Sequence, residues 1–319
     1  MSILLIYTGG TIGMVQDKFN QSLVPGGVKP IKEFLEKEEL VNGVDIVSTS
    51  DVIDSSNFGL KYFRELTVII EQEYHNHDGF LILMGTDTMA YVSSLLSYSI
   101  EGLTKSIVFT GGQLPLLNKD SDSKNNLKNA IKGLKECTFP KEVGVYFHYK
   151  WHRAVCVTKI DSEAYDAYIS PTYRLENILK TQEKFKISNN IQANIVVVKL
   201  IPFGNDEILR LILEANSFDG IVLEVFGAGN MPEFSPELKK MFKKRIQSGV
   251  KVVVVSQCLK GGVSIGRYAS STVAKELDFV SAGSMTIEST VAKMLFLHQK
   301  KLNIQQYQRI FEESIRGET

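Results

Sequence analysis

Residues 3–11 read ILLIYTGGT, an apolar run that passes directly into threonine and glycine. Six later runs are of the same kind and also end near small or polar residues: Phe80–Met84, Ser106–Phe109, Val143–Phe147, Ile195–Leu200, Ile221–Phe226 and Val252–Val255. Short apolar runs without polar alternation are typical of strands buried on both faces of a parallel sheet. The first run and the six similar runs therefore predict the strands of a buried parallel sheet.

Segments with apolar residues spaced near 3.6 lie between these runs and predict helices: Pro30–Leu40, Leu60–Asn76, Met89–Ile100, Ser123–Cys137, Glu207–Asn216, Pro236–Gln247, Ile287–Leu297 and Ile304–Ile315. Strands alternating with helices predict an α/β fold with parallel strands. The polar stretch Ser170–Asn194 has no buried run and is a candidate linker. We therefore expect a larger N-terminal parallel-sheet (Rossmann-like) domain over residues 1–185 and a smaller C-terminal α/β domain over residues 186–319.

The composition limits the partners that this chain can have. Its 319 residues carry 36 basic and 36 acidic side chains, so the formal net charge is zero. Nucleic-acid-binding proteins usually show a basic excess or stripe, and peripheral membrane proteins a basic amphipathic helix. We expect neither nucleic acid nor a membrane as a partner. No apolar run is long enough to span a membrane.

The cysteines and the N-terminus indicate the compartment. The chain has three cysteines at wide spacings, which fit neither a disulfide framework nor a metal knuckle and favour a reducing environment. Met1 and Ser2 run directly into the first apolar run, without the charged start, apolar core and cleavage site of a signal peptide.

Ligands of open parallel sheets bind at the carboxyl ends of the strands, where this chain places its polar clusters. The candidates are Thr11, a hydroxyl nucleophile that needs a base; Thr86 and Asp87, which could relay a proton and bind an ammonium; and Lys159, a proton acceptor or donor if desolvated beside a carboxylate. The polar segment Asp54–Asn57 suits a small polar ligand. Taken singly, each cluster is also explained by turn formation.

These segments carry a family resemblance. TGGTIGM at residues 8–14 and MGTDTMAY at residues 84–91 resemble the two signature segments of bacterial-type L-asparaginases. Other segments agree in order along nearly the whole chain: Asp54–Ser56, Thr110–Pro115 with Asp122 and Asn126, Lys159 with Asp166–Pro171, Gly227–Pro232 and Ser256–Cys258. Without a recognisable signal peptide, the chain resembles the cytoplasmic type I branch of this family. The resemblance therefore implies a cytoplasmic location.

The resemblance implies hydrolysis of L-asparagine to L-aspartate and ammonia. Thr11 would attack the side-chain amide and form a β-aspartyl enzyme. Thr86, Asp87 and Lys159 would handle protons. The implied substrate-binding residues are Ser55, Ser56, Thr86, Asp87 and Asn230. The resemblance implies no metal and no other cofactor, and it implies a homodimer or homotetramer.

Two positions depart from the family pattern. The loop after the nucleophile usually carries a tyrosine that contacts it, but residues 14–27 contain none; Phe19 has no hydroxyl and Ser22 is the nearest one. The proton partner of Thr11 is therefore open. Asn57 stands where many relatives carry an aspartate. The preference between asparagine, glutamine and D-asparagine, and an effector pocket near Thr158 and Cys258, are also open.

Competing interpretations have weaker support in the sequence. Gly262–Gly266 matches G-x-S-x-G and is followed by Asp278 and His298, but the preceding strand ends near Val255 and no helix follows directly, as a serine hydrolase requires. Histidine pairs 75/77 and 148/152 could bind a metal only in a suitable geometry, and residues 143–157 look strand-like instead. No phosphate-binding glycine motif is complete.

An amino-acid-binding module is the alternative of another class. A degenerate asparaginase fold could bind without hydrolysis, or act in a transamidation complex whose subunits carry an additional N-terminal domain. The chain starts at the first predicted strand, and Thr11, Thr86, Asp87 and Lys159 are all in place, so we expect an enzyme.

Overall fold

The structure, a computed structural model, describes residues 1–17, 22–172, 184–215, 217–265 and 272–319. The described chain forms two compact units. The first contains described residues up to 170 and residues 184–190, and the second contains residues 171–172 and the described residues from 191 onward. The predicted α/β fold with a larger first domain is confirmed. The boundary at 185/186 stays a prediction, and residues 173–183 of the candidate linker lie outside the described residues.

The first unit is built on a sheet with the strand order β4-β1-β5-β7-β8-β9, in which only β9 is antiparallel to its neighbour. These strands are β1 (Ile3–Gly9), β4 (Val44–Ile53), β5 (Gly79–Leu83), β7 (Ile107–Thr110), β8 (Val143–Phe147) and β9 (Lys150–Arg153). Short antiparallel pairs flank the sheet: β2 (Met14–Gln16) with β3 (Leu23–Pro25), β6 (Ile100–Glu101) with β12 (Lys186–Ile187), and β10 (Thr158–Lys159) with β11 (Tyr168–Ile169).

The helices of the first unit lie between these strands: α1 (Lys29–Lys37), α2 (Leu60–Glu73), α3 (Met89–Ser99) and α4 (Asp122–Lys135). The sequence alone indicates why they begin where they do. Pro30 occupies the first turn of α1, and Ser121 caps α4 by accepting a hydrogen bond from the Ser123 N–H. Apolar side chains of α1 and α4 pack with those of β1, β5 and β7 and form one core of the unit.

Strand β4 was not among the predicted strands. Its sequence, VDIVSTSDVI, mixes charged and apolar residues, and most of its side chains are exposed or half-buried because it is the edge strand beside β1. By contrast, every residue of β1 and β5 is buried. The apolar runs therefore identify buried strands such as β1 and β5, whereas β4, with polar side chains at the sheet edge, leaves no such run.

The second unit has a parallel sheet with the order β13-β14-β15-β16, formed by β13 (Ile195–Lys199), β14 (Gly220–Val225), β15 (Lys251–Ser256) and β16 (Val280–Ser281). Its helices are α5 (Asp206–Glu214), α6 (Pro236–Gln247), α7 (Thr272–Glu276), α8 (Ile287–His298) and α9 (Ile304–Glu312). Helix α5 ends before Asn216, the predicted last residue, which lies outside the described residues. Apolar side chains of these strands and helices form a separate core. Within the described parts of both units, no helix is long and apolar enough to cross a membrane.

Candidate active site

The site lies at the carboxyl edge of the sheet in the first unit. Strands β4, β1, β5 and β7 are neighbours and run parallel, with Gly9 opposite Ile53, Tyr7 opposite Leu83 and Leu83 opposite Thr110. The residues that follow these strands therefore emerge at the same edge. They include four of interest for the chemistry: Thr11, Ser55, Thr86 and Gln113.

Two glycines bring the first two signature segments into backbone contact. Gly10 has φ 87° and ψ 171°, a conformation that is essentially restricted to glycine. A Cβ at Gly10 would lie 2.3 Å from the Gly85 nitrogen, and a Cβ at Gly85 would lie 2.5 Å from Ser55 Oγ. Only residues without side chains permit this approach. The half-buried Thr11, which starts a 3₁₀ turn, is thereby held beside the Gly85–Thr86 segment.

Lys159 connects the two polar residues that follow β5. Its Nζ donates a 2.8 Å hydrogen bond to Thr86 Oγ1 and a 2.7 Å hydrogen bond to Asp87 Oδ1. The Lys159 side chain is 16% exposed, whereas that of Asp87 is 66% exposed. The cation is thus withdrawn from solvent while the carboxylate remains accessible to a ligand. Such a cation–hydroxyl–carboxylate group is suited to moving a proton.

Gln113 completes the hydrogen bonding of the Thr86 hydroxyl. Its Nε2 donates to the Ala164 carbonyl over 3.2 Å, which orients Oε1 toward Thr86. Thr86 Oγ1 donates to that oxygen over 3.2 Å. The Thr86 hydroxyl therefore accepts from Lys159 and donates to Gln113, so both its position and its proton are directed.

Asp122, the first residue of α4, holds the loop that carries Gln113. Its carboxylate accepts hydrogen bonds from the backbone N–H groups of Gln113 and Leu114, each at 3.0 Å, and it is buried. Charge-assisted bonds of this kind are stronger than neutral ones. The aspartate therefore ties Gln113 to the rigid start of a helix.

The Asp54–Asn57 segment forms a 3₁₀ turn after β4. Ser55 is buried and its carbonyl accepts a 2.8 Å hydrogen bond from Thr88 Oγ1, which joins this turn to the segment after β5. Ser56 is exposed, and both its N–H and its hydroxyl donate to Asp54 Oδ1, at 2.8 and 2.7 Å. The backbone hydrogen bond, followed by that of the side chain, holds the pKa of Asp54 below its usual value.

Tyr168 contacts the same threonine from another direction. Its hydroxyl donates a hydrogen bond to the backbone carbonyl of Thr86, and its side chain is buried. Tyr168 lies opposite Lys159 in the antiparallel pair β10–β11. Thr86 is consequently held both through its hydroxyl and through its backbone.

The structure thus brings Ser55, Thr86, Asp87 and Lys159 together and places Thr11 beside them through Gly10. Asn230 belongs to the second unit, where its N–H and carbonyl exchange hydrogen bonds with Phe226 across a tight turn. Its predicted contact with substrate stays a prediction. Phe19, in the loop where the family resemblance implies a tyrosine, lies outside the described residues.

The competing serine-hydrolase interpretation lacks its structural context. Ser264 follows β15 within a loop, and its N–H donates to the Ala228 carbonyl, so no strand passes directly into a helix there. Gly266, the last residue of that motif, lies outside the described residues. His298 ends α8, with its Nε2 3.9 Å from Asp219 Oδ1.

The histidines have other partners than a metal. His77 is buried, with Nε2 3.1 Å from Asp45 Oδ2 and Nδ1 3.3 Å from the Glu73 carbonyl. His152 is buried on β9 with Nδ1 2.8 Å from Ser170 Oγ. Over the described ranges of the chain, no three His, Cys, Asp or Glu side chains are grouped so that they could hold a metal ion.

Comparison with known proteins gives the family. A model described as the N-terminal domain of asparaginase matches residues 2–192, and the glutaminase/asparaginase C-terminal domain matches residues 194–311. The chain belongs to the asparaginase family. This confirms the family resemblance carried by the TGGTI and GTDT segments.

Relatives of this asparaginase-family chain match it along its length. L-asparaginase 1 from Escherichia coli is 29% identical over 99% of this chain and 97% of its own. The thermostable L-asparaginase from Thermococcus kodakarensis superimposes with a TM-score of 0.89 at 26% identity, covering 100% of this chain and 99% of its own. L-asparaginase I from Vibrio cholerae superimposes with a TM-score of 0.83 at 29% identity, covering 99% and 98%.

The contacts place Gln113 and Tyr168 in the candidate site, although the sequence did not single out either residue. In the sequence, Gln113 stands out only as part of the Thr110–Pro115 segment, and Tyr168 only as part of the segment that accompanies Lys159. Sequence proximity to Lys159 is the one signal that could have pointed to Tyr168, because an antiparallel pair over so short a connection places the two residues opposite each other.

Proposed function

We propose that this asparaginase-family chain is an L-asparaginase that hydrolyses L-asparagine to L-aspartate and ammonia. The observation that carries the proposal is the Lys159 ammonium, which contacts both Thr86 Oγ1 and Asp87 Oδ1 at the carboxyl edge of the sheet. Relatives matched over nearly their whole length are named L-asparaginases. Amide hydrolysis needs a nucleophile, a proton acceptor and donors for the oxyanion, and residues of each kind converge here.

Thr11 is the proposed nucleophile. Its Oγ attacks the side-chain carbonyl carbon of asparagine, ammonia leaves, and a β-aspartyl ester remains on the enzyme; water then attacks the ester and releases aspartate. The backbone N–H groups of Thr86 and of a glycine beside Thr11 are the expected oxyanion donors. The close approach of Gly10 to Gly85 supports this arrangement, since it holds both N–H-bearing segments side by side.

Thr86, Lys159 and Asp87 are the proposed proton-handling group. A proton taken from the nucleophile or from water by Thr86 Oγ1 can pass to Lys159 Nζ when that amine is neutral. The Asp87 carboxylate then stabilises the ammonium, 2.7 Å from Nζ. The Thr86 hydroxyl, which donates to Gln113 Oε1 when Lys159 is an ammonium, rotates to donate to Nζ in this step.

The polar ends of the substrate need opposite partners. Asp87, whose carboxylate is largely exposed, is suited to the α-ammonium group. Ser55 and Ser56 are the proposed partners of the α-carboxylate and α-amino ends. The Ser56 hydroxyl, which donates to Asp54, can turn to a substrate carboxylate by rotation about χ1.

Further parts of the proposal concern the assembly and the surroundings. A homodimer or homotetramer is proposed, with Asn230 as a substrate contact. We propose a cytoplasmic location, which the three free cysteines support because such thiols persist in reducing compartments. L-asparagine as the small-molecule partner, without a metal or another cofactor, completes the proposal.

Ammonia release from L-asparagine by the purified full chain tests the function. We expect release at millimolar substrate, with L-glutamine measured beside it, because one methylene in a pocket discriminates by only about 10–200-fold. Thr11→Ala should abolish turnover while the melting temperature stays near that of the wild type. Turnover close to wild type in a folded Thr11→Ala variant would show that another residue is the nucleophile.

A further inference from the structure

The short pair β10–β11 presents two side chains to one residue of the site. Lys159 and Tyr168 are directly opposite in this antiparallel pair, and directly opposite residues project from the same face of a ladder. Lys159 Nζ donates to Thr86 Oγ1, and the Tyr168 hydroxyl donates to the Thr86 carbonyl. One short ladder therefore holds the side chain and the backbone of the same threonine.

The Tyr168 ring is itself fixed by its surroundings. Phe147 packs edge-on against it with ring centroids 5.0 Å apart, and His152 lies on another side at 6.5 Å. Burial lowers the pKa of His152 to about 4, so this imidazole is neutral near pH 7 and places no charge beside the phenol. The hydroxyl of Tyr168 is thus directed at Thr86 by packing rather than by charge.

The carbonyl that Tyr168 contacts belongs to the peptide between Thr86 and Asp87. That peptide is planar, so fixing its oxygen fixes ψ of Thr86 and the direction in which the chain enters Asp87. Lys159 Nζ contacts both side chains at hydrogen-bond distance, so the peptide must point the Thr86 and Asp87 side chains toward the same nitrogen. A rotation of the peptide would move Oγ1 and Oδ1 apart relative to a single Nζ.

We propose that Tyr168 is a positioning residue for the hydrolysis. Its hydroxyl holds the Thr86–Asp87 peptide in the one orientation in which the Thr86 hydroxyl and the Asp87 carboxylate both meet Lys159. This inference rests on the proposed function for its catalytic consequence, but the contact with the backbone does not depend on the reaction. Tyr168 contacts no reacting atom; it acts through Thr86.

Tyr168→Phe tests the proposal because it removes the hydroxyl and keeps the ring. We expect kcat for L-asparagine to fall about tenfold with a smaller rise in KM, since the displaced peptide carries both the proton-handling hydroxyl and Asp87, the proposed partner of the substrate ammonium. Tyr74→Phe is the matched control: it also removes the hydroxyl of a buried tyrosine, one that accepts a hydrogen bond from the Thr104 N–H and does not contact Thr86. We expect it to lower the melting temperature and to leave kcat within about twofold.

Two further measurements separate positioning from general stability. In a double-mutant cycle with Thr86→Val, which removes the hydroxyl that meets Lys159, we expect the loss from Tyr168→Phe to be clearly smaller than in the wild type, because the two changes disturb one arrangement. Hydrogen exchange in a peptide over residues 84–90, followed by mass spectrometry without ligand, should be about fivefold faster in Tyr168→Phe and unchanged in Tyr74→Phe.

The outcomes discriminate between the two proposals. An unchanged kcat with an ordinary fall in melting temperature, or equal exchange in both variants, would overturn the positioning role. If the wild type releases no ammonia from L-asparagine, the proposed function fails, and the exchange measurement alone decides whether Tyr168 holds the Thr86–Asp87 peptide.

Discussion

Nζ of Lys159 lies 2.7 Å from Oδ1 of Asp87, and the two residues are 72 positions apart in the chain. The Lys159 side chain is mostly withdrawn from solvent, whereas that of Asp87 is largely exposed. This asymmetry suits a carboxylate that meets a cationic ligand group on one side and a structural cation on the other. Because water can solvate the Asp87 carboxylate when Lys159 is replaced, the effect of Lys159 on turnover can be measured apart from its effect on stability.

Lys159→Met should remove proton handling without unfolding the protein. We expect kcat to fall by about 10²–10⁴, the usual effect of losing a general acid or base. The free energy of unfolding should change by no more than about 1 kcal/mol, because Asp87 can be solvated once its partner is gone. Ammonia release and urea denaturation measure the two effects.

Lys150→Met is the matched control, since Lys150 forms an ion pair with Asp166 but is half exposed and lies outside the proton-handling group. It makes the same change in charge and should keep wild-type turnover. Equal losses of turnover in the two variants would indicate a general electrostatic effect and would contradict the specific role of Lys159.

Thr86→Val tests the hydroxyl that joins Lys159 to Gln113. We expect kcat to fall at least about 10²-fold, because Lys159 loses its acceptor and the proton path is interrupted. Thr86→Ser keeps the hydroxyl and should retain a substantial part of turnover. If the valine variant keeps kcat near that of the wild type while the serine variant loses it, the methyl group rather than the hydroxyl is what matters.

The limits of prediction from sequence follow from the kind of contact involved. Thr86, Asp87 and Lys159 were predicted because they stand in motifs after buried strands. The role of Tyr168 was not predicted. It depends on a hydrogen bond from its side chain to a backbone carbonyl 82 residues away, and such a bond leaves no pattern of residue types in the sequence. Strand β4 was not predicted for a related reason, since an exposed edge strand needs no apolar run.

Gly10→Ala should reduce both stability and turnover. A methyl group there would lie 2.3 Å from the Gly85 nitrogen, and the backbone conformation is unfavourable for alanine. We expect a loss of at least about 3 kcal/mol in the free energy of unfolding. At Gly27, with φ 64° and open space around its Cβ position, alanine should cost only about 1–2 kcal/mol. Similar losses in the free energy of unfolding at Gly10 and Gly27 would show that the backbone segments around Gly10 and Gly85 can move apart.

Tyr7 carries a buried hydroxyl with no hydrogen-bond partner among the residues that the structure describes. Burial raises its pKa to about 12, so the phenol remains neutral at physiological pH. Tyr7→Phe should therefore leave the free energy of unfolding unchanged or raise it by about 1 kcal/mol, because an unpaired polar group leaves the core.

Tyr74→Phe is the comparison for Tyr7. The Tyr74 hydroxyl is also buried, but it accepts a 2.9 Å hydrogen bond from the Thr104 N–H and lies 3.0 Å from Thr104 Oγ1. Its removal should lower the free energy of unfolding by about 1–3 kcal/mol. A loss of that size for Tyr7→Phe in urea denaturation would reveal a partner for the Tyr7 hydroxyl.

His152 should make the protein less stable in mild acid. Burial lowers its folded-state pKa to about 4 from 6.5, so between these values the unfolded chain binds more protons than the folded one. Stability then rises with pH across this window, and it falls by about 3 kcal/mol as pH decreases from 6.5 to 4, at about 1.4 kcal/mol for each pKa unit. His152→Gln removes this titration, so its unfolding free energy, measured in urea at pH 7 and pH 4.5, should fall less than that of the wild type. An equal fall in both proteins would mean that His152 is protonated in the folded state without penalty.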